Sequence, residues 1–226
     1  LCTLRGKLKN VLTYGLNADN DIRGENVKDM GLEGMRFDIV YDGGRTTATI
    51  PSPGIHMVMN SLCAAAVGLT LGIEPELIKQ GIESYAPVEG RMQIIKTQRL
   101  TLLDDSFNAN PTSMAAAINI ACRASGRTVL ILGDMLELGE KSAEYHRNMG
   151  KKAVECGADI MIGKGPLMKN ACEETERAGI ETMHFDTSED IMRALDNCLR
   201  DGDTVLVKAS HGTNLKDVAE YIKANF

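Results

Sequence analysis

The sequence predicts an α/β protein in two parts: a small antiparallel sheet with helices, then a doubly wound domain built on a parallel sheet. From Arg91 onward short apolar segments alternate with amphipathic ones, the pattern of buried parallel strands covered on both faces by helices. Before residue 88 the period differs, with two-residue alternation around an Asp-Gly turn. Composition agrees. Of 226 residues 43% are apolar and 25% charged, ordinary values for a globular chain with its own core.

Taken in order, Val11-Leu12-Thr13-Tyr14-Gly15 reads as a strand ending in glycine. Met35 to Tyr41 and Arg45 to Ile50 alternate, with Asp42-Gly43-Gly44 between them. Pro51-Ser52-Pro53-Gly54 breaks the pattern, and an Ala-rich helix follows from about His56 to Leu71, ended by Gly72. A second helix runs from Pro75 to about Ser84, with proline suited to its first turn. Tyr85-Ala86-Pro87-Val88-Glu89-Gly90 reads as a linker, which divides the chain into residues 1–87 and 88–226. Strands are then expected at Leu100–Leu103, Thr128–Leu132, Asp159–Ile162, Thr182–Phe185 and Thr204–Val207. Helices are expected at Thr112–Ala124, Ser142–Cys156, Leu167–Ala178, Ser188–Leu199 and Leu215–Ala224.

Several function classes are excluded. Lys and Arg total 25 against 31 Asp and Glu, a net charge of −6, so no nucleic-acid partner is expected. No apolar run reaches the roughly 18 residues of a membrane span, and no basic-then-apolar leader is present, so neither membrane insertion nor a signal peptide is expected. The six cysteines form no C-x-x-C pair and read as reduced thiols of a cytoplasmic protein, with no metal-ligand set. There is no G-x-x-x-x-G-K-[ST] phosphate loop and no G-x-G-x-x-G fingerprint; Gly163-Lys164-Gly165 fits neither. The start at Leu1 and the missing phosphate loop suggest a fragment.

In open α/β sheets ligands bind beyond the carboxyl ends of the strands. Those ends carry Asp104-Asp105-Ser106-Phe107-Asn108-Ala109-Asn110-Pro111, Gly133-Asp134-Met135, Gly163-Lys164-Gly165, Asp186-Thr187-Ser188 and Lys208-Ala209-Ser210-His211-Gly212. Asn110 can cap the helix that begins at Pro111, whereas Asn108 and Asp105 have no evident structural task. A carboxylate there could hold a ribose hydroxyl, and amide side chains could fix a peptide-like substrate. The segment from Gly133 to Gly139 sets Met135, Leu136 and Leu138 among Asp134 and Glu137, with a plain strand-to-helix crossover as the alternative. His56 and Asn60 are four apart, on one face at a helix start. His146, four residues after Ser142, could support the Asp134 loop.

These segments together resemble the Mur ligase family. Leu132-Gly133-Asp134-Met135-Leu136-Glu137-Leu138-Gly139-Glu140, followed by Ser142, His146 and Gly150, is similar to its C-terminal domain, in the branch that adds D-alanyl-D-alanine. Asp104 to Pro111 resembles that branch's D-D-S-Y-N-A-N-P, with Phe for Tyr. Gly90-Arg91-Met92 resembles the arginine turn that opens the domain, Gly54 to Asn60 the family's G-x-H-N-x-x-N, and Val207 to Ser210 its V-K-G-S.

The resemblance implies a Rossmann-like C-terminal domain in residues 88–226, preceded in 1–87 by the back part of a central ATPase domain. It implies an ATP- and Mg²⁺-dependent ligase of peptidoglycan synthesis. ATP would phosphorylate the terminal carboxylate of UDP-N-acetylmuramoyl-tripeptide, and the amine of D-alanyl-D-alanine would displace the phosphate to form an amide. Carried over by motif position, the nucleotide site takes His56 and Asn60, with Asn60 toward adenine, Arg91 toward the phosphates and Asp105 at the ribose. Asn108, Asn110, Asp134 and Glu137 would face D-alanyl-D-alanine. Lys208 and Ser210 would line the same cleft, with Asn108 and Lys208 as the catalytic pair. No resident metal ligand is carried over. The enzyme is expected to be a cytoplasmic monomer, and the 226 residues alone to be inactive.

Besides Phe107 and Ala209, two positions depart from the pattern: Met57 stands where the family has Asn, and His211 where the branch has Arg. The alternatives are another Mur-type ligase (diaminopimelate-adding or folylpolyglutamate), a nicotinamide-dependent oxidoreductase, or a non-catalytic nucleotide-binding module. The two loops argue against the first and the missing glycine fingerprint against the second; doubly wound sheets host all of them.

Overall fold

A computed structural model describes residues 11–226. Within them the chain forms two compact units that meet between Ala86 and Pro87. Cys2 and the rest of residues 1–10 lie outside the described residues.

In the first unit β1 (Tyr14–Gly15), β2 (Ile22–Asp29), β3 (Met35–Tyr41) and β4 (Gly44–Ile50) form one sheet in that order. The β3–β4 hairpin turns at Asp42-Gly43, as the sequence suggests. Two details differ from the sequence reading. β2 was not legible, and β1 pairs with it in parallel, so the sheet is mixed rather than wholly antiparallel. The reason is local. β2 reads Ile-Arg-Gly-Glu-Asn-Val-Lys-Asp and its register shifts between Glu25 and Lys28, around Asn26 in the left-handed region at φ 51°. A bulge of this kind breaks the alternation that marks a strand.

Helices α1 (Ile55–Thr70) and α2 (Pro75–Glu83) cover one face of this sheet. Val58, Leu62, Ala65 and Ala66 recur at helical spacing and pack on Ile22, Phe37, Ile39, Ala48 and Ile50. The polar face carries Asp38, which accepts hydrogen bonds from Thr47 Oγ1 at 2.6 Å and Asn26 Nδ2 at 2.7 Å.

The second unit holds a six-stranded sheet in the order β5-β6-β10-β7-β8-β9. The strands are β5 (Gln93–Lys96), β6 (Thr101–Asp105), β7 (Thr128–Gly133), β8 (Ile160–Lys164), β9 (Glu181–Phe185) and β10 (Thr204–Lys208). All pair in parallel except β5, which runs antiparallel to β6 and was not anticipated. It has four residues, none fully buried, and so lacks an apolar signature. The helices are α3 (Pro111–Arg123), α4 (Ser142–Cys156), α5 (Lys169–Arg177), α6 (Ser188–Cys198) and α7 (Lys216–Asn225). Side chains of α6 and α7, among them Ile191, Leu195, Val218 and Ile222, pack on one face against Leu102, Val129, Ile131, Val205 and Val207.

The last strand, β10, returns to the middle of the sheet, between β6 and β7. Every residue of β7 and β10 is buried. The five parallel strands therefore present their carboxyl ends along one edge, with β10 between β6 and β7. No helix among the described residues is long and apolar enough to cross a membrane.

Candidate functional site

The edge is organised around Lys208, the last residue of β10. Register sets it opposite Asp105 on β6 and Leu132 on β7. Its side chain is only 2% exposed, and its ammonium lies 2.5 Å from Asp105 Oδ2 and donates to the Asn108 carbonyl at 2.9 Å. A buried ammonium needs such partners, because stripping its water without replacement is costly.

Asp105, 15% exposed, takes a second contact at its other oxygen, which accepts from Met92 N at 2.9 Å. Burial pushes the Asp105 carboxyl above its ordinary value, and the Lys208 ammonium pulls against that shift. Asp104, next in the strand, points to the other face. Its Oδ1 accepts from Ser106 Oγ at 2.6 Å, and its Oδ2 forms an ion pair with Lys223 at 2.9 Å whose angles are not those of a hydrogen bond.

The Asp105–Met92 bond shapes the turn that carries Arg91. Gly90 and Met92 both have left-handed backbones, at φ 71° and 49°. At Gly90 a Cβ would lie 3.2 Å from Phe107 N and 3.3 Å from Ser106 Oγ, so the turn can approach the loop only with glycine there. Phe107 N donates to the Gly90 carbonyl at 2.9 Å. The Arg91 guanidinium carbon then sits 4.1 Å from the centroid of the Phe107 ring, which contacts the His211 ring at 5.6 Å. Sequence reasoning noted Phe107 only as a replacement for Tyr; its position inside a matched motif was the available signal.

The structure places the other expected residues as follows. Asn108 is exposed; its Oδ1 accepts from Ala109 N at 2.8 Å. Asn110 caps α3 in a reciprocal capping box with Ser113. Glu137 is exposed, at φ 61°. Ser210 is buried, and its hydroxyl donates to the Ala109 carbonyl at 3.2 Å and accepts from Leu136 N at 3.0 Å, tying two loops together.

Asp134 is 5% exposed and also faces inward. Its oxygens accept from Met168 N at 2.7 Å and Leu167 N at 3.3 Å. Gly165 sits against it at φ 100°, where a Cβ would fall 2.7 Å from the carboxyl carbon. His146 is fully buried and supports the same loop. Its Nε2 accepts from Met135 N at 2.9 Å, which leaves the proton on Nδ1, 2.6 Å from the Ser142 carbonyl.

Lys164, which the sequence offered only as part of the Gly163-Lys164-Gly165 strand end, donates to Ser188 Oγ at 2.7 Å and to the Thr213 carbonyl. Burial lowers its pKa. It thereby braces the turn that carries His211.

In the first unit, α1, α2 and β4 enclose a groove of about 450 Å³, lined by Ile50, Met57, Asn60, Ala64, Ile78 and Tyr85 among others. That volume is within the ordinary range for a small-molecule pocket, and its walls are mostly apolar. The Asn60 amide meets the Met57 sulfur at 3.8 Å, a weak contact that leaves it available to a stronger partner. His56 is exposed at the second position of α1 and is not among the groove's lining residues.

The thiols take no evident part. Burial pushes Cys122 up to about 12 and Cys172 up to about 11, which keeps both protonated and unreactive. No group of three or more His, Cys, Asp or Glu that could hold a metal ion occurs among the described residues.

Comparison with known proteins agrees with this layout. The chain is 33% identical over 215 residues to the UDP-N-acetylmuramoyl-tripeptide–D-alanyl-D-alanine ligase of Bacillus subtilis, covering 92% of this chain and 46% of that protein. It is 30% identical over 211 residues to the Escherichia coli protein of the same name, with 92% and 46% covered. The chain thus spans about half the length of the curated relatives it matches. A crystal structure of MurF from Acinetobacter baumannii superposes with a TM-score of 0.86 at 24% identity, covering 96% of this chain and 48% of that one. MurF from Thermotoga maritima in complex with ADP superposes with a TM-score of 0.80 at 21% identity, covering 99% and 51%. At those identities the likeness establishes the fold. Residues 90–211, more than half of the chain, match the family model described as Mur ligase, glutamate ligase domain, and the chain belongs to that family.

Proposed function

We propose that this chain is the carboxyl-terminal part of an ATP-dependent ligase that joins D-alanyl-D-alanine to UDP-N-acetylmuramoyl-tripeptide. Residues 1–87 would be the end of its central domain and 88–226 its C-terminal domain. The observation that carries the reading is the knot of Lys208, Asp105 and Met92 N, which holds Arg91 and Asn108 at the strand edge where ligands of such sheets bind.

In this reading Asn60 faces adenine, Asp105 accepts from the ribose, and Arg91 meets the phosphates. Asp105 keeps acceptor capacity for that task, since each oxygen is engaged once. Asn108, exposed beside this knot, orients D-alanyl-D-alanine. Lys208 acts through Asp105 and the Asn108 loop, which it fixes in place. Asn110, Asp134 and Ser210 shape the same loops by capping and bridging, and Glu137 remains open to the substrate. Mg²⁺ would offset charge on the nucleotide's phosphates. The enzyme is taken to be a cytoplasmic monomer with no nucleic-acid partner.

The test is phosphate release from ATP and UDP-muramoyl-tripeptide, with the amino-terminal half of the ligase supplied. Release is expected with D-alanyl-D-alanine and not with D-glutamate or diaminopimelate, and none is expected from the 226 residues alone. Asn108→Ala should lower kcat/KM by about ten-fold or more, the usual effect of removing a hydrogen bond to a buried or charged group. Release with another amine rejects the branch; no release with any amine rejects the ligase reading.

A further inference from the structure

We propose that Phe107 is a positioning residue that holds the Arg91 guanidinium over its ring, so that the N–H groups of Arg91 stay available to a phosphate. The inference rests on the nucleotide reading of Arg91 given above.

Three observations support it. Phe107 is 42% exposed, so its ring is accessible to a cation at the strand edge. The residue is held at two points: its backbone N–H donates to the Gly90 carbonyl at 2.9 Å, and its ring centroid lies 5.6 Å from that of His211 with the planes 43° apart. The Arg91 guanidinium carbon stands 4.1 Å from its centroid, and no carboxylate or carbonyl partner for Arg91 occurs among the described residues. An arginine held by an ion pair would have its N–H edge occupied. One held by a ring is oriented while all five donors remain free.

The backbone on either side removes the remaining freedom. Gly90 and Met92 take left-handed conformations and are bonded to Phe107 N and Asp105, so Arg91 springs from a fixed turn. The ring contact then favours one placement of the long side chain, so less rotamer entropy remains to be lost when an anion binds.

The experiment is an NMR titration of the chain with inorganic tripolyphosphate and, separately, adenosine. The order parameter of the Arg91 Nε–Hε bond is measured in the same samples. Phe107→Leu should bind tripolyphosphate about two- to five-fold more weakly, the range expected from losing one exposed cation–π contact. It should also lower the Arg91 order parameter and leave adenosine binding unchanged. Phe107→Tyr keeps a ring and should match the wild type in all three. Wild-type affinity and order parameter in Phe107→Leu overturn the role of Phe107. No tripolyphosphate binding by the wild type, or equal binding by Arg91→Ala, overturns the phosphate assignment of Arg91 itself, whatever Phe107 does to the order parameter.

Discussion

Asp105 and Asp134 stand at the carboxyl ends of the two strands that flank β10, and a sequence reading treats them alike. The structure separates them. Asp105 is bonded to a lysine and one amide, keeps part of its surface open, and is pushed upward by burial. Asp134 is closed off, and both its oxygens accept from the backbone amides of Leu167 and Met168, at the turn before α5. One carboxylate is held ready at the edge; the other fastens the neighbouring loop. A polar residue after a strand therefore signals a site only when its acceptors are not already claimed by amides.

The largest expected effect breaks or confirms that division. Asp134→Ala leaves two amides without an acceptor, one of them on the fully buried Met168. A roughly 3 kcal/mol loss of stability should follow, two charge-assisted bonds being removed. Urea unfolding measures it. A loss below about 1 kcal/mol would mean that Asp134 does not fasten the α5 turn.

How much of this was legible follows from the same contrast. Ser142–Cys156 was read to the residue, and each parallel strand of the second unit to within two, because buried strands and amphipathic helices write their period into the sequence. β2 and β5 were missed, one bulged at Asn26 and the other short and half-exposed. The motifs pointed to the loops of the proposed site. Asn110 was told from Asn108 because its capping partner, Ser113, is only three residues on. Asp105 was not told from Asp134, since a clamp depends on partners distant in sequence. Leu167 and Met168 lie more than thirty residues from Asp134, and Lys208 a hundred and three from Asp105.

A smaller effect sharpens the comparison within one loop. Asn110→Ala removes the cap of α3 and should cost about 1 kcal/mol, as such caps do. Asn108→Ala removes an exposed side chain bonded only to the next amide and should stay within about 0.5 kcal/mol. Paired thermal melts of the two variants decide it. Equal costs would make Asn108 another structural residue and weaken its assignment to the substrate.

The smallest effect compares Asp105 with Asp38 on the small sheet. Hydrogen bonds from Thr47 and Asn26 hold the Asp38 carboxyl below its ordinary value of 3.8, whereas burial holds Asp105 above it. The signs of their linkage to folding are therefore opposite. Asp38 binds protons less readily folded than unfolded, so its contribution is present above pH 3.8 and is lost as pH falls through its lowered value. Asp105 binds them more readily folded, so its contribution grows as pH falls from its raised value toward 3.8. Melting temperatures from about pH 6 down to about pH 3 should show wild type and Asp38→Asn converging, by no more than about 1 kcal/mol. Over the upper part of that range wild type should gain on Asp105→Asn. Convergence in both pairs would mean that the Lys208 ammonium outweighs burial at Asp105, and that the edge carboxylate is held as firmly in its charged form as Asp38.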